Sequence, residues 1–125
     1  MTQKLFTSAI KTAARKFPLG SQDGKHGEAL VLARFFTPAS SYTWYMLEYD
    51  EENDEAFGYI VGPEPEYGYF SVKELQEAKM QSGFLRGMQA VERDISVDPK
   101  KRTLADLLKA YGEKAPSWWQ EKASA

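Results

Sequence analysis

Two hydrophobic periods divide the chain. In residues 5–17 the apolar positions Leu5, Phe6, Ala9, Ile10, Ala13, Ala14 and Phe17 recur at helical spacing, and Lys4, Lys11, Arg15 and Lys16 lie off the stripe. The pattern predicts an amphipathic helix capped by Thr2 and ended by Pro18 and Gly20. A basic amphipathic helix can lie on a membrane or a partner, but its alanines suit close packing on a sheet. From residue 29 the period shortens. Residues 29–37 (ALVLARFFT) are almost continuously apolar and predict a central strand covered on both faces. Residues 42–49 alternate, with Tyr42, Trp44, Met46 and Glu48 on one face and Thr43, Tyr45, Leu47 and Tyr49 on the other. Turn signals at 50–54 and 63–65 separate two further strands, 55–62 and 66–70. Such short connections predict an antiparallel meander. Gly58 and Gly68, inside strands and flanked by aromatics, signal bulges, strong twist or a ring lying over bare backbone.

Helical signals then return. Ser71 and Glu74 fit a capping box for a helix to about residue 79. Residues 82–87 form a glycine-containing loop, and 89–97 an extended segment able to add a fifth strand at a sheet edge. Thr103 and Asp106 cap a last helix with the stripe Leu104, Leu107, Leu108 and Tyr111, closed by Gly112. Residues 113–125 read as a polar, partly mobile tail interrupted by Trp118 and Trp119. The expected fold is therefore α+β: one domain over residues 1–125, a four- to five-stranded antiparallel meander packed with N- and C-terminal helices.

Length supports one domain with a real core. The absence of cysteine removes disulfides, thiolate nucleophiles and cysteine zinc sites. No apolar run approaches the roughly 20 residues of a membrane span. The first 17 residues lack a secretory core and cleavage site, so a cytoplasmic location is expected. Net charge is −2, but it is unevenly spread: +4 over residues 1–27, −8 over 28–70 and +2 over 71–125. A nucleic-acid binder normally gathers basic residues on its recognition face, so a nucleic-acid partner is not expected. Attraction between oppositely charged neighbouring elements accounts for the same distribution.

Three constellations could carry chemistry. The first is the acidic run Glu48, Asp50, Glu51, Glu52, Asp54 and Glu55. As a calcium loop it fails, since Glu55 stands where glycine is needed and Val61 where glutamate is needed. It can be a solvated hairpin tip, a partner-docking patch, or a mimic of nucleic-acid phosphates. The second is Glu92, Arg93 and Asp94. In a strand both carboxylates share a face, as an acid–base pair would, and Arg93 could bind an anion. Alternatively Arg93 ties this segment to the sheet by pairing with Glu48 or Glu66. The third is the aromatic set around Trp44, which suits core packing or a protein-binding surface better than base stacking, because Arg34 is the one basic residue between 28 and 70. His26, the one histidine, lies in a glycine-rich loop and has no second histidine or cysteine to share a metal. No nucleophile elbow, HExxH or P-loop is present, so no catalytic residue, metal or cofactor is assigned.

The succession Arg34-Phe35-Phe36-Thr37-Pro38, Thr43-Trp44-Tyr45, Glu48-Tyr49-Asp50, Phe57-Gly58, Glu66-Tyr67-Gly68-Tyr69-Phe70-Ser71, Glu74-Leu75 and Glu92-Arg93-Asp94 resembles a bacterial family known as domain of unknown function number 2958. The resemblance covers about residues 17–108, in order and at similar spacing. Tyr67 stands where the family usually has leucine, and the 51–54 turn is longer than the family's Asp-Gly turn. The resemblance implies a small cytosolic product of plasmids, phages and other mobile elements, and brings no activity, cofactor or catalytic residue with it. The leading expectation is a non-enzymatic protein-binding accessory, an anti-defence protein or inhibitor. It would dock through Asp50, Glu51, Glu52, Asp54 and Glu55 or through aromatics near Trp44. The rival is a small-ligand binder or enzyme using Glu92, Arg93 and Asp94, with Glu48 or His26. A third reading is single-stranded nucleic-acid binding by the aromatic strands.

Overall fold

Three antiparallel strands with short turns do form the centre of the protein. The computed structural model describes residues 3–119. Strands β1 (Ala33–Phe36), β2 (Thr43–Asp50), β3 (Glu55–Val61), β4 (Glu66–Phe70) and β5 (Glu92–Arg93) make one antiparallel sheet in the order β4-β3-β2-β1-β5. Helix α1 (Ser8–Ala14) and the short α2 (Val72–Glu77) cover one face. Helix α3 (Leu104–Ala110) covers the other. The α+β architecture with a fifth strand at the edge is thus as the sequence pattern predicts, although β5 pairs over two residues only, Phe35↔Arg93 and Phe36↔Glu92.

Strand β1 is interior, between β2 and β5, as expected, but the strand is shorter than the segment 29–37 and the middle strand is β2. Only Ala33–Phe36 of that segment pairs as a strand. Ahead of it the backbone is taken by loops. The Gln22 side chain holds both polar groups of Leu30, and Val31 bonds Arg102 O and Lys100 N. A continuous apolar run marks burial on both sides, which an irregular segment achieves as well as a strand.

A β-bulge between Met46 and Glu48 reorganises β2. Beyond it the side chains change face, because one extra residue shifts a period-two pattern by one. Tyr49 joins Met46 in the cluster under α1, with Ile10, Ala13 and Phe35. Leu47 stays with Tyr45 and Tyr59 under α3, and Glu48 turns to that side too. Simple alternation had Tyr49 and Glu48 on each other's faces. Gly58 lies opposite Met46 beside the bulge, and a Cβ there would sit 1.9 Å from the Tyr45 carbonyl oxygen. The bulge therefore requires bare backbone at this position. The aromatic ring over a glycine is found at Gly62, where a Cβ would lie 2.6 Å from the Tyr42 ring.

The helices start and stop on local signals. Thr7, not Thr2, caps α1, accepting from the Ile10 amide at 3.3 Å; Thr2 lies outside the described residues. Ser71 caps α2 at the Glu74 amide, 3.1 Å, and the supporting carboxylate is Asp54, bonded to the Ser71 hydroxyl and the Lys73 amide. Thr103 caps α3. Gly112 has φ 66° and ends α3 with two reversed bonds, Gly112 N to Lys109 O and Glu113 N to Leu108 O. That turn sends the segment after α3 back across the sheet. The Tyr59 hydroxyl donates to Lys114 O, and Trp119 packs against the α3-side core. Residues 120–125 of the polar tail lie outside the described residues.

Candidate functional site

The acidic residues at the β2–β3 tip are placed separately. Glu48 is almost fully buried and accepts the Gly20 and Gln22 amides at 2.7 Å each, anchoring the loop before β1. Asp50 holds the turn through the Glu52 amide and the Asn53 side chain. Glu51 pairs with Lys11 at 3.5 Å and Arg15 at 3.2 Å on α1, and the Arg15 bonds hold its carboxyl below the usual range. Asp54 accepts the Tyr49 hydroxyl at 2.6 Å and supports α2. Burial and then this contact raise the Tyr49 phenol well above its ordinary value. Glu52 and Glu55 are exposed and, among the described residues, make no ion pair. The attraction between basic α1 and the acidic strands thus takes the form of two ion pairs on Glu51. Lys11, Glu51 and Tyr49 line two neighbouring surface pockets, of about 510 Å³ and about 500 Å³.

Glu92, Arg93 and Asp94 separate across the sheet as alternation requires. Arg93 faces the N-terminal segment, its amide donating to Gln3 Oε1 and its side chain to Lys4 O. It pairs with neither Glu48 nor Glu66: loop amides hold Glu48, and Glu66 is on β4, the opposite sheet edge from β5. Glu92 is exposed. Asp94 pairs instead with Arg34 at 3.2 Å.

Arg34 is the centre of a buried polar cluster that pattern reading passed over. Its guanidinium bonds Asp94 and the Tyr45 hydroxyl and lies 3.6 Å from Glu113. The Tyr111 ring stacks on it at 3.7 Å. The Tyr45 hydroxyl donates to Glu113, and the Tyr111 hydroxyl donates to Asp94. Burial, then the bond to Glu113, lifts the Tyr45 phenol far above its usual value despite Arg34. Burial would raise the Asp94 carboxyl, but bonds from Ser96 and Tyr111 and the charge of Arg34 outweigh it and hold the group low. Every member has a partner within the cluster. It clamps the segment after α3 onto the sheet, and offers no free acid, base or nucleophile. The one signal in the sequence was an arginine isolated in an acidic, apolar stretch.

The opposite situation holds in residues 78–90. The chain leaves α2, forms a narrow ladder (Ala90 N to Ala78 O, Met80 N to Met88 O) and turns back through Gly83 and Gly87, both at positive φ. At its tip Phe84 is 101 % exposed, and Leu85 and Met88 are about half exposed. Its base is fixed to the N-terminal segment by Gln89, which bonds both polar groups of Gln3. The finger carries Lys79 and Arg86 and no acidic residue. Trp44, the other candidate contact, is half-buried, stacked on Tyr42 at 5.7 Å and packed on the α1-side core.

Among the described residues no helix is long and apolar enough to cross a membrane, and no group of three metal-ligating side chains converges. No curated protein and no solved structure matches the chain. A family model does, over residues 4–115, a longer span than the motif succession alone marks out. The chain belongs to the family described as protein of unknown function (DUF2958).

Proposed function

We propose that the protein acts without catalysis, as an accessory of a mobile genetic element that binds another protein through the finger at residues 78–90. The single observation that carries this reading is the full exposure of Phe84 beside Leu85 and Met88 on a backbone-bonded loop. Exposed apolar groups in a cluster lose free energy in water and contribute nothing to the fold, which is the signature of a contact surface. The finger's cations favour a partner whose apolar pocket is rimmed by carboxylates. The mobile-element setting rests on the family resemblance, and an anti-defence or inhibitory role is the form of binding that this setting favours. An acidic-tip contact would draw on Glu52 and Glu55, since Asp50, Glu51 and Asp54 have internal partners.

A benzophenone side chain placed at Phe84 and irradiated in the host tests the reading. One discrete cross-linked protein is expected, absent when the same group replaces exposed Glu28. A smear of abundant proteins equal at both positions would refute it.

A further inference from the structure

The α3 side holds a cavity whose lining has no part in the finger. It opens between the loop before β1 and strands β2–β4, with a volume of about 140 Å³. Water occupies roughly 30 Å³ in the liquid, so the space holds a group of several heavy atoms. Its walls include Asp23, His26, Leu47, Glu48, Phe57 and Tyr67. The aromatic rings meet at different inclinations. Phe57 and Tyr67 are nearly parallel at 5.8 Å, Trp118 is tilted 40° to Tyr67 at 6.3 Å, and His26 stands edge-on to Trp118 at 4.6 Å. Trp119 is perpendicular to Trp118 and packs where Gly27 leaves room: a Cβ on Gly27 would lie 3.2 Å from its ring.

Three further observations mark the place. His26 is held at φ 52°, a left-handed conformation that costs a non-glycine residue energy and collects at binding sites. The Tyr67 hydroxyl and the Trp119 indole nitrogen are buried next to each other and, among the described residues, have no other hydrogen-bond partner. Each Glu48 oxygen accepts one backbone amide and keeps a further lone pair. Among the described residues the lining contains two carboxylates and no lysine or arginine. An anion is therefore repelled, and a neutral apolar guest would desolvate the carboxylates without return. A bare metal ion would need three or more converging ligands, and none converge among the described residues. Ring faces and carboxylates together suit a weakly hydrated positive charge.

We propose that this cavity is an aromatic cage for a small organic cation, an alkylated ammonium or guanidinium head. The same head occurs free and at the end of a methylated lysine or arginine side chain. Either way Phe57 and Tyr67 offer rings at the cavity wall, with Trp118 behind Tyr67 and His26, and Asp23 and Glu48 supply the charge.

The test is tryptophan fluorescence and calorimetry on the full chain with tetramethylammonium, methylguanidinium and neopentyl alcohol, the last a neutral match in shape. Saturable binding of at least one cation is expected, about tenfold or more tighter than the alcohol. Asp23→Asn, at an exposed position that leaves the fold intact, should weaken the cation and not the alcohol. Tyr67→Ala should abolish cation binding. A trimethyl-lysine peptide that binds more tightly than the free ion assigns the head to a protein; equal binding assigns it to a free small molecule. No saturable cation binding, or equal affinity for the alcohol, overturns the proposal.

Discussion

Arg34 and Glu51 are each held between two side chains of opposite charge, and the two arrangements have very different consequences. Arg34 lies between Asp94 and Glu113 with side chains only 11–16 % exposed. Glu51 lies between Lys11 and Arg15 with side chains 46–58 % exposed. Water already screens the charges around Glu51, so the ion pairs there add little to stability. Around Arg34, removal of one partner strands the others in a poorly solvated place, at a cost of about 3–5 kcal/mol. Burial, not the number of charges, decides which cluster the fold depends on.

The sharpest way to break this contrast is Arg34→Met. It keeps bulk under Tyr111 but strands Asp94 and Glu113, and should destabilise the fold by about 3–5 kcal/mol in urea unfolding. Loss under about 1 kcal/mol would place Arg34 with Glu51. Gln22→Ala comes next. It leaves the Leu30 amide and the Leu30 and Leu47 carbonyls without their partner, and should cost about 1–3 kcal/mol. Acid titration sharpens the same point. Asp94 is held below its unfolded value of about 3.9, so its stabilisation is complete above that pH and is lost as pH falls through the lower folded value. Asp94→Asn should flatten the acid limb of the stability curve. At the small end, Glu51→Gln should leave the urea midpoint close to that of wild type, and about 0.5 M salt should remove most of any difference.

The difference also explains what could be read from the chain. Strands β2–β4, their meander order and the caps at Thr103 and Gly112 follow from local signals, because each depends on neighbours in sequence. The faces of Glu48 and Tyr49 did not, since a one-residue bulge beside Gly58 inverts every later position. Nor did the Arg34 cluster, whose members come from β1, β2, the segment after β5 and the end of α3. Acidic residues adjacent in sequence drew attention to residues 50–55, yet three of them serve the turn, α1 and α2. The finger was hidden for the converse reason. Phe84, Leu85 and Met88 read as ordinary apolar residues in a loop, and only the backbone ladder shows that they are held outward.

If charges hold the fold and the finger makes contact, stability and binding should separate at Phe84 and Leu85. The most direct measurement is a paired one on Phe84→Ser/Leu85→Ser: thermal unfolding, and capture of host proteins by the full chain against wild type. The account predicts a stability change within about 0.5 kcal/mol and loss of a stoichiometric partner that wild type retains. Retention of that partner by the double variant, or unfolding of the variant, would contradict it.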